Sequence, residues 1–482
     1  MFLLLGEQLL RDDPQSLSSI LRTPPPPNVI NVHDIPAFVL SLYGFGNVLK
    51  MREDIFGRVP LQAVCADPMV EYKSTKHREV AMRRRDLLKY AGATALAAPF
   101  VRVARADQGA VKVGVVGAKT GPLAPGAAAT HFPPWRLWAH EINQAGGLKL
   151  KDGARKVELI EYDDRTQPPE AIKAIERLAT IDKADWIVGL YSTGFNIAAV
   201  PTFTKLGYPQ IAVACVTDLG EQLVKKNPRL FFANGTITQY TSSAIDVLKK
   251  LKEGGQLGSK VALVNVADEF GIEAANISKK LLPAAGFEIV YDKSYPLGTQ
   301  DYTPVIKAVK SSNPDAFIAW SYPPDTFGLT DQAKIENLNV KVYYNGIGCA
   351  FAGFYGKYGA SAENIIGFGG IPDNEKTQAF LKLHKEVTGV DSDYNACPYY
   401  YANGQVLRQA FEGAGTMDRD AITEYLKSHT FKTLIGEIDL RSQLQNIAYT
   451  VGQWQNGFFH SVAGVGVAQS ELVAPRVKTG WA

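Results

Sequence analysis

From Val111 onward the chain alternates short, almost continuous apolar runs with amphipathic stretches, and then begins the series again. The first series is VKVGVVGA (Val111 to Ala118), KVELIEYDD (Lys156 to Asp164), ADWIVGL (Ala184 to Leu190) and PQIAVA (Pro209 to Ala214). The second is KVALVNV (Lys260 to Val266), FEIVYDKSYP (Phe287 to Pro296), AFIAWSY (Ala316 to Tyr322) and KVYYNGIG (Lys341 to Gly348). The segments between them read as helices. In PPEAIKAIERLATI the prolines suit a first turn, and Ala171, Ile172, Ile175, Leu178 and Ala179 fall on one face. A strand that is apolar throughout has to be covered on both sides. Such runs alternating with helices therefore predict an α/β chain with two doubly wound parallel-sheet lobes. Ligands collect beyond the carboxyl ends of such strands, so with two lobes the natural site is the cleft between them.

The segment ahead of this pattern reads as an address. MRRRDLLKYAGATALAAPFVRVARA, from Met82 to Ala106, places Arg84-Arg85 before a weakly apolar run that is shorter than the ~20 residues a membrane span needs. It ends on Ala104-Arg105-Ala106, small residues where a signal peptidase cuts. Residues 82–106 are thus expected to be a twin-arginine signal peptide, with a basic amphipathic helix as the plainer reading. Residues 1–81, with RTPPPPN and no lasting apolar period, read as a disordered or mis-assigned extension. Translation is expected to start at Met82, an unusually long leader being the alternative.

Charge narrows the function. The chain has 51 Lys and Arg against 48 Asp and Glu; residues 1–106 hold 14 of the bases and 10 of the acids, leaving 37 against 38. The remainder carries no global positive field, which disfavours nucleic acid as a partner. Catalytic and metal motifs are incomplete. GVVGAKTGPLAPG lacks the dinucleotide glycine spacing and has Pro122 and Pro125 where a helix should receive a pyrophosphate. GLYSTG has Leu190 where a nucleophile elbow has glycine, and four residues after His140 stands Gln144, so no zinc helix forms. Asp163-Asp164 is expected to hold a loop or cap a helix. Cys215, Cys349 and Cys397 form no C-x-x-C pair, and their odd number leaves at least one thiol unpaired.

The assembled strings VKVGVVGAKTGPLA, EINQAGGLKL, VELIEYDDRTQPPEAI, ADWIVGLYSTG, GYPQIAVACVTDL, DEFG, YPLGTQDYTPVIKAVKSSNPDAFIAW and TMDRDAITEYLKSHTFKTLIGEIDL resemble, in order, the branched-chain amino acid binding proteins of ABC transporters. The resemblance runs from Val111 to about Pro475. It implies the type I periplasmic binding protein fold, with 107–235 and 370–436 in the first lobe and 236–369 and 437–482 in the second. Three crossings would fall near Asn234 to Thr238, Gly367 to Ile371 and Leu434 to Leu440. It further implies a monomer without cofactor, metal or catalytic residues, which captures a small solute in the periplasm and delivers it to an inner-membrane permease. A sensory module of the same fold and an exported α/β enzyme are the alternatives.

Site residues carried over from the resemblance are Ser192 and Thr193 at a strand end, where helix capping is the competing role. Ala214, Val216 and Thr217 follow, with the backbone contribution of Val216 more secure than any side-chain one. Phe270 takes the place of a tyrosine. Tyr322 supplies a second aromatic, with Trp320 near it and core packing as the plainer role for that indole. Ile347 stands where amino acid binders place an acid. Burying an ammonium without a counter-charge costs several kcal/mol, so a small carboxylate or amide with an apolar or aromatic body is expected in preference to leucine, unless Asp325, Glu269 or another acid moves in.

Overall fold

The computed structural model describes residues 109–445, 450–464 and 472–481. The chain divides into a unit ending at Pro99 and one from Phe100 to Ala482, and every described residue belongs to the second. The extension 1–81 and the leader 82–106 lie outside the described residues.

The first lobe begins with β1 (Val111–Gly117), α1 (Ala124–Thr130), α2 (Phe132–Gln144) and a small hairpin of β2 (Leu148–Leu150) and β3 (Gly153–Arg155). β4 (Val157–Asp163), α3 (Pro168–Thr180), β5 (Trp186–Ile187), α4 (Thr193–Leu206), β6 (Gln210–Ala212), α5 (Gly220–Lys226) and β7 (Leu230–Phe232) follow. β1 runs parallel between β4 and β5, in register from Val111 opposite Val157 to Gly117 opposite Asp163. β6 and β7 pair in parallel beside them. The link between the two groups is Gly189, where a Cβ would overlap the Ile211 carbonyl oxygen. No side chain fits there, so the backbones can approach.

The second lobe opens with α6 (Ile237–Glu253), then β8 (Lys260–Val266), α7 (Glu269–Ala284), β9 (Glu288–Tyr295), α8 (Thr303–Ser311), β10 (Ala316–Trp320), α9 (Pro323–Ile335), β11 (Val342–Asn345), α10 (Ala352–Tyr358) and β12 (Ile366–Phe368). The chain then returns to the first lobe as α11 (Glu375–Thr388), α12 (Ala396–Ala414), α13 (Arg419–Ser428) and a hairpin of β13 (Thr430–Thr433) and β14 (Gly436–Asp439), with α11 and α12 packed on α2. β15 (Thr450–Gln455) and β16 (Phe458–Gly464) complete a seven-stranded sheet of order β16-β15-β12-β11-β10-β8-β9. All eight expected apolar runs contain parallel strands. β8, β10 and β11 are buried almost throughout because helices cover both faces, while β9, at the sheet edge, alternates more weakly.

Between the lobes the chain passes from β7 to α6 and from β12 to α11. A third crossing was expected within Leu434 to Leu440. Leu434 to Leu440 mostly builds the β13–β14 hairpin, whose turn uses Gly436 at φ 111°, and the chain stays in the first lobe. The Phe232 N–H donates to the Gln443 carbonyl at 2.8 Å, and the Gln445 N–H donates to the Phe232 carbonyl at 2.9 Å, so this strip lies along β7. β15 starts at Thr450.

Candidate functional site

The chain leaves β5 and turns into α4 through Leu190 to Ser192. Asn196, one turn into the helix, clamps this corner: its amide nitrogen donates to the carbonyls of Leu190 (2.7 Å) and Ser192 (2.8 Å), and its amide oxygen accepts from the Leu190 N–H (3.1 Å). The clamp holds Ser192 at φ 88° and ψ 155°, a backbone conformation that L residues rarely adopt. Ser192 occupies the N-cap position of α4, but its hydroxyl makes no capping bond. Thr193 Oγ1 accepts from the Val216 N–H at 3.2 Å and lies 3.4 Å from the Val216 carbonyl. The backbone groups of Val216 expected to face a solute are therefore held by Thr193, and the bond ties the two strand-end loops together.

These loops form one wall of a cavity between the lobes. Ser192, Thr193, Ala214, Val216, Phe270, Tyr322 and Ile347 all line it; Thr217 does not. The Thr217 hydroxyl instead lies 3.3 Å from Glu273 Oε1 and accepts from the Leu219 N–H at 3.1 Å. The cavity measures about 60 Å³ in the space reached by the centres of water-sized spheres. One water needs roughly 10–15 Å³ by that measure, so several waters or one small organic molecule fit. Among the described residues no Asp, Glu, Lys, Arg or His lines it. Tyr191, Tyr240, Phe368, Tyr399 and Tyr400 join Phe270 and Tyr322 in an aromatic wall, with Phe270 centred 5.4 Å from Tyr322 and 5.8 Å from Tyr240.

Neither acid named as a candidate for balancing an ammonium, Asp325 or Glu269, lines the cavity. Asp325 accepts from the Tyr322 N–H (3.1 Å) and the hydroxyls of Tyr295 (3.2 Å) and Tyr302 (3.3 Å), and burial pushes its carboxyl up to about 6. Asp268 caps α7 through the Gly271 N–H at 2.9 Å and accepts from the Tyr322 hydroxyl at 2.8 Å; burial takes it, too, up to about 6. Glu269 is an exposed residue whose carboxylate abuts Gly194 rather than the cavity. The hydroxyl hydrogen of Tyr322 is thus spent on Asp268.

Trp320 is core: it is fully buried, and its indole N–H donates to Ser278 at 2.9 Å. Cys215, Cys349 and Cys397 are buried and free. Asp163 accepts the Lys119, Thr120 and Arg165 N–H groups, and Asp164 that of Thr166, so the acidic pair holds a loop. The lining residues that sequence reasoning missed are Tyr191, Val213, Asn234, Tyr240 and Phe368, and, from α12 and its start, Asn395, Ala396, Tyr399 and Tyr400. The tyrosine run Tyr399 to Tyr401 is the local signal that marked the α12 residues. Tyr400 has a buried hydroxyl without a partner among the described residues.

Two sheets with helices on their faces, joined by crossings and enclosing a cavity at their strand ends, define a bilobal binding protein. The chain belongs to the periplasmic binding protein family, whose model matches residues 110–457. It is 23% identical over 377 residues to the Leu/Ile/Val-binding protein of Escherichia coli K12, covering 76% of this chain and 95% of that one. It is 24% identical over 340 residues to an amino acid binding protein of Pseudomonas aeruginosa, covering 67% and 85%. Among solved structures, the branched-chain amino acid transporter substrate-binding protein LivJ of Streptococcus pneumoniae, in complex with isoleucine, superposes with a TM-score of 0.64 at 21% identity, covering 74% of this chain and 99% of that one. An R. palustris ABC transporter solute-binding protein in complex with benzoate superposes with a TM-score of 0.63 at 20% identity, covering 76% and 99%. Among the described residues no helix is long and apolar enough to cross a membrane.

Proposed function

We propose that this protein is the exported, periplasmic solute-binding component of an ABC importer, and that its solute is a small monocarboxylate with an aromatic or apolar body. The observation that carries this reading is the cavity between the lobes, which is walled by aromatic rings and contains no charged side chain. A zwitterion would bury its ammonium there without a counter-charge, at a cost of several kcal/mol. A carboxylate meets better conditions at the start of α4, where the positive end of the helix dipole and the Ser192–Thr193 corner face the same space. The Tyr400 hydroxyl is a further donor. The benzoate carried by one structural neighbour is a solute of this type.

Function then requires binding and movement but no bond-breaking step. The open form admits the solute to the first lobe, and the second lobe closes over it because the solute binds the closed form better. The closed form is what an inner-membrane permease would receive. Export by the twin-arginine leader, a monomeric state and the absence of catalysis belong to the same proposal.

A thermal-shift screen against amino acids, amides and aromatic monocarboxylates, followed by calorimetry, tests it, since a tight ligand raises the melting temperature by mass action. Benzoate-like acids should give the largest shifts, smaller ones should come from leucine and isoleucine, and the bound acid should be recovered unchanged. Shifts produced only by nucleotides or metal ions, or turnover of the acid, would overturn the proposal.

A further inference from the structure

α7 belongs to the second lobe and packs on β8 and β9, yet its first two turns reach across to the first lobe. Glu273 Oε1 accepts from the Asp218 N–H at 2.9 Å and lies 3.3 Å from the Thr217 hydroxyl. One turn earlier, on the same face, the Glu269 carboxylate abuts Gly194 in the first turn of α4, where an added Cβ would come within 2.5 Å of Oε2. In the opposite direction the Asp218 carboxylate accepts from the Thr238 N–H (3.2 Å) and hydroxyl (2.5 Å) at the start of α6. The segment Ala214 to Leu219 is thus gripped from the second lobe at its far end, while Ala214 and Val216 at its near end line the cavity. None of Thr217, Asp218 or Glu273 lines the cavity themselves.

We infer that Glu273 is a closure latch: its bonds to Thr217 and Asp218 hold the lobes together whether or not a solute is present, and so set the affinity for every solute without touching any. The inference rests on the proposed function only in taking the cavity as the place where a solute is enclosed. A protein that binds in its closed form loses apparent affinity in proportion to the fraction of time it spends open. Breaking the latch therefore weakens all solutes by one common factor. The latch depends on an accepting oxygen rather than on charge. Burial raises the Glu273 carboxyl above its ordinary range, so ionisation is penalised at this place, and a glutamine amide oxygen can accept the same two bonds.

The test compares wild type, Glu273→Ala and Glu273→Gln as full chains. Small-angle scattering without solute should give a larger radius of gyration for the alanine variant, with the glutamine variant at the wild-type value. Dissociation constants for two solutes of different shape from the screen above should both rise by roughly ten-fold in the alanine variant, and by less than two-fold in the glutamine variant. Melting temperatures without solute should stay together. An unchanged radius of gyration in the alanine variant overturns the latch even if no solute has been found, which separates its failure from failure of the functional reading. Weakening of one solute but not the other would make Glu273 a contact residue. A drop in melting temperature that glutamine does not restore would make it a structural one. Either result also overturns the latch.

Discussion

Ser192 carries the sharpest single-residue tension in the protein. Its φ of 88° with ψ of 155° belongs to a region occupied almost only by glycine, and such conformations cost about 1–3 kcal/mol unless the surroundings impose them. Here the surroundings are the three bonds from the Asn196 side chain. Serine is retained although glycine would relieve the strain, which points to use of the hydroxyl. Ser192→Gly is expected to stabilise the protein by about 1 kcal/mol, and Ser192→Ala to give no gain. Both should weaken carboxylate binding by roughly five- to ten-fold through loss of one donor. Chemical denaturation and calorimetry on the two variants check this. Equal affinity in all three proteins would remove Ser192 from the site. The hydroxyls at this corner were legible in the sequence because an apolar run ending in STG before a helix puts them at a strand tip. The engagement of Thr193 with Val216, and of Thr217 with Glu273, was not legible, since each depends on a partner 23 or 56 positions away.

At the level of elements, the first lobe depends on how closely β5 and β6 approach. Gly189 has no side chain, and the space a Cβ would take is held by the Ile211 carbonyl, a backbone atom that cannot swing aside. Gly189→Ala is expected to cost about 3 kcal/mol or more, because the two strand groups of that lobe would have to separate. The loss should appear as a lower midpoint in a urea titration. A midpoint equal to the wild type's would show that the groups can part freely. The eight runs were legible because their apolar, β-branched residues cluster over six or more positions, even where, as at β5 and β6, the strand itself is only two or three residues long. β7 and β12, LFF and IGF, lie outside any such run. β15 and β16 were missed for another reason: they add to the sheet in antiparallel fashion after the chain has visited the other lobe. The third crossing was misplaced because TLIGEIDL serves equally as a passage or a hairpin, and pairing with β13 decides between them.

The molecule as a whole carries its buried titratable groups in an arrangement that sets its response to acid. Burial takes Asp164, Asp268 and Asp325 up to about 6, and takes the His131 imidazole down to about 4, with its Nε2–H donating to the Val116 carbonyl at 3.0 Å. The native state holds the three aspartate protons in a range where the unfolded chain has lost them, so these groups work against folding above pH 6 and cease to as pH falls towards 4. His131 acts in the other direction: its contribution is complete above pH 6.5 and is lost as pH falls towards 4. The raised carboxyls, Asp393 and Glu273 among them, outnumber the lowered imidazoles of His131 and His384, and the melting temperature should rise from pH 7 to about pH 5. The double variant Asp268→Asn with Asp325→Asn should flatten that rise. Scanning calorimetry from pH 4 to pH 8 measures both, and a steady fall from pH 7 to pH 5 would contradict the assignment.

The two alternating strand–helix series, the two-lobed α/β class and the hydroxyls at one strand tip were determined by the sequence alone, because burial on both faces of a strand and on one face of a helix leaves a local record a few residues long. The make-up of the cavity was decided only in three dimensions. Tyr399 and Tyr400 line the same cavity as Ser192 across some two hundred positions of chain, Asp268 and Asp325 bond to tyrosines, and Thr217 bonds to Glu273 outside the cavity. No period in the chain encodes such meetings, since they arise from how whole elements pack against one another.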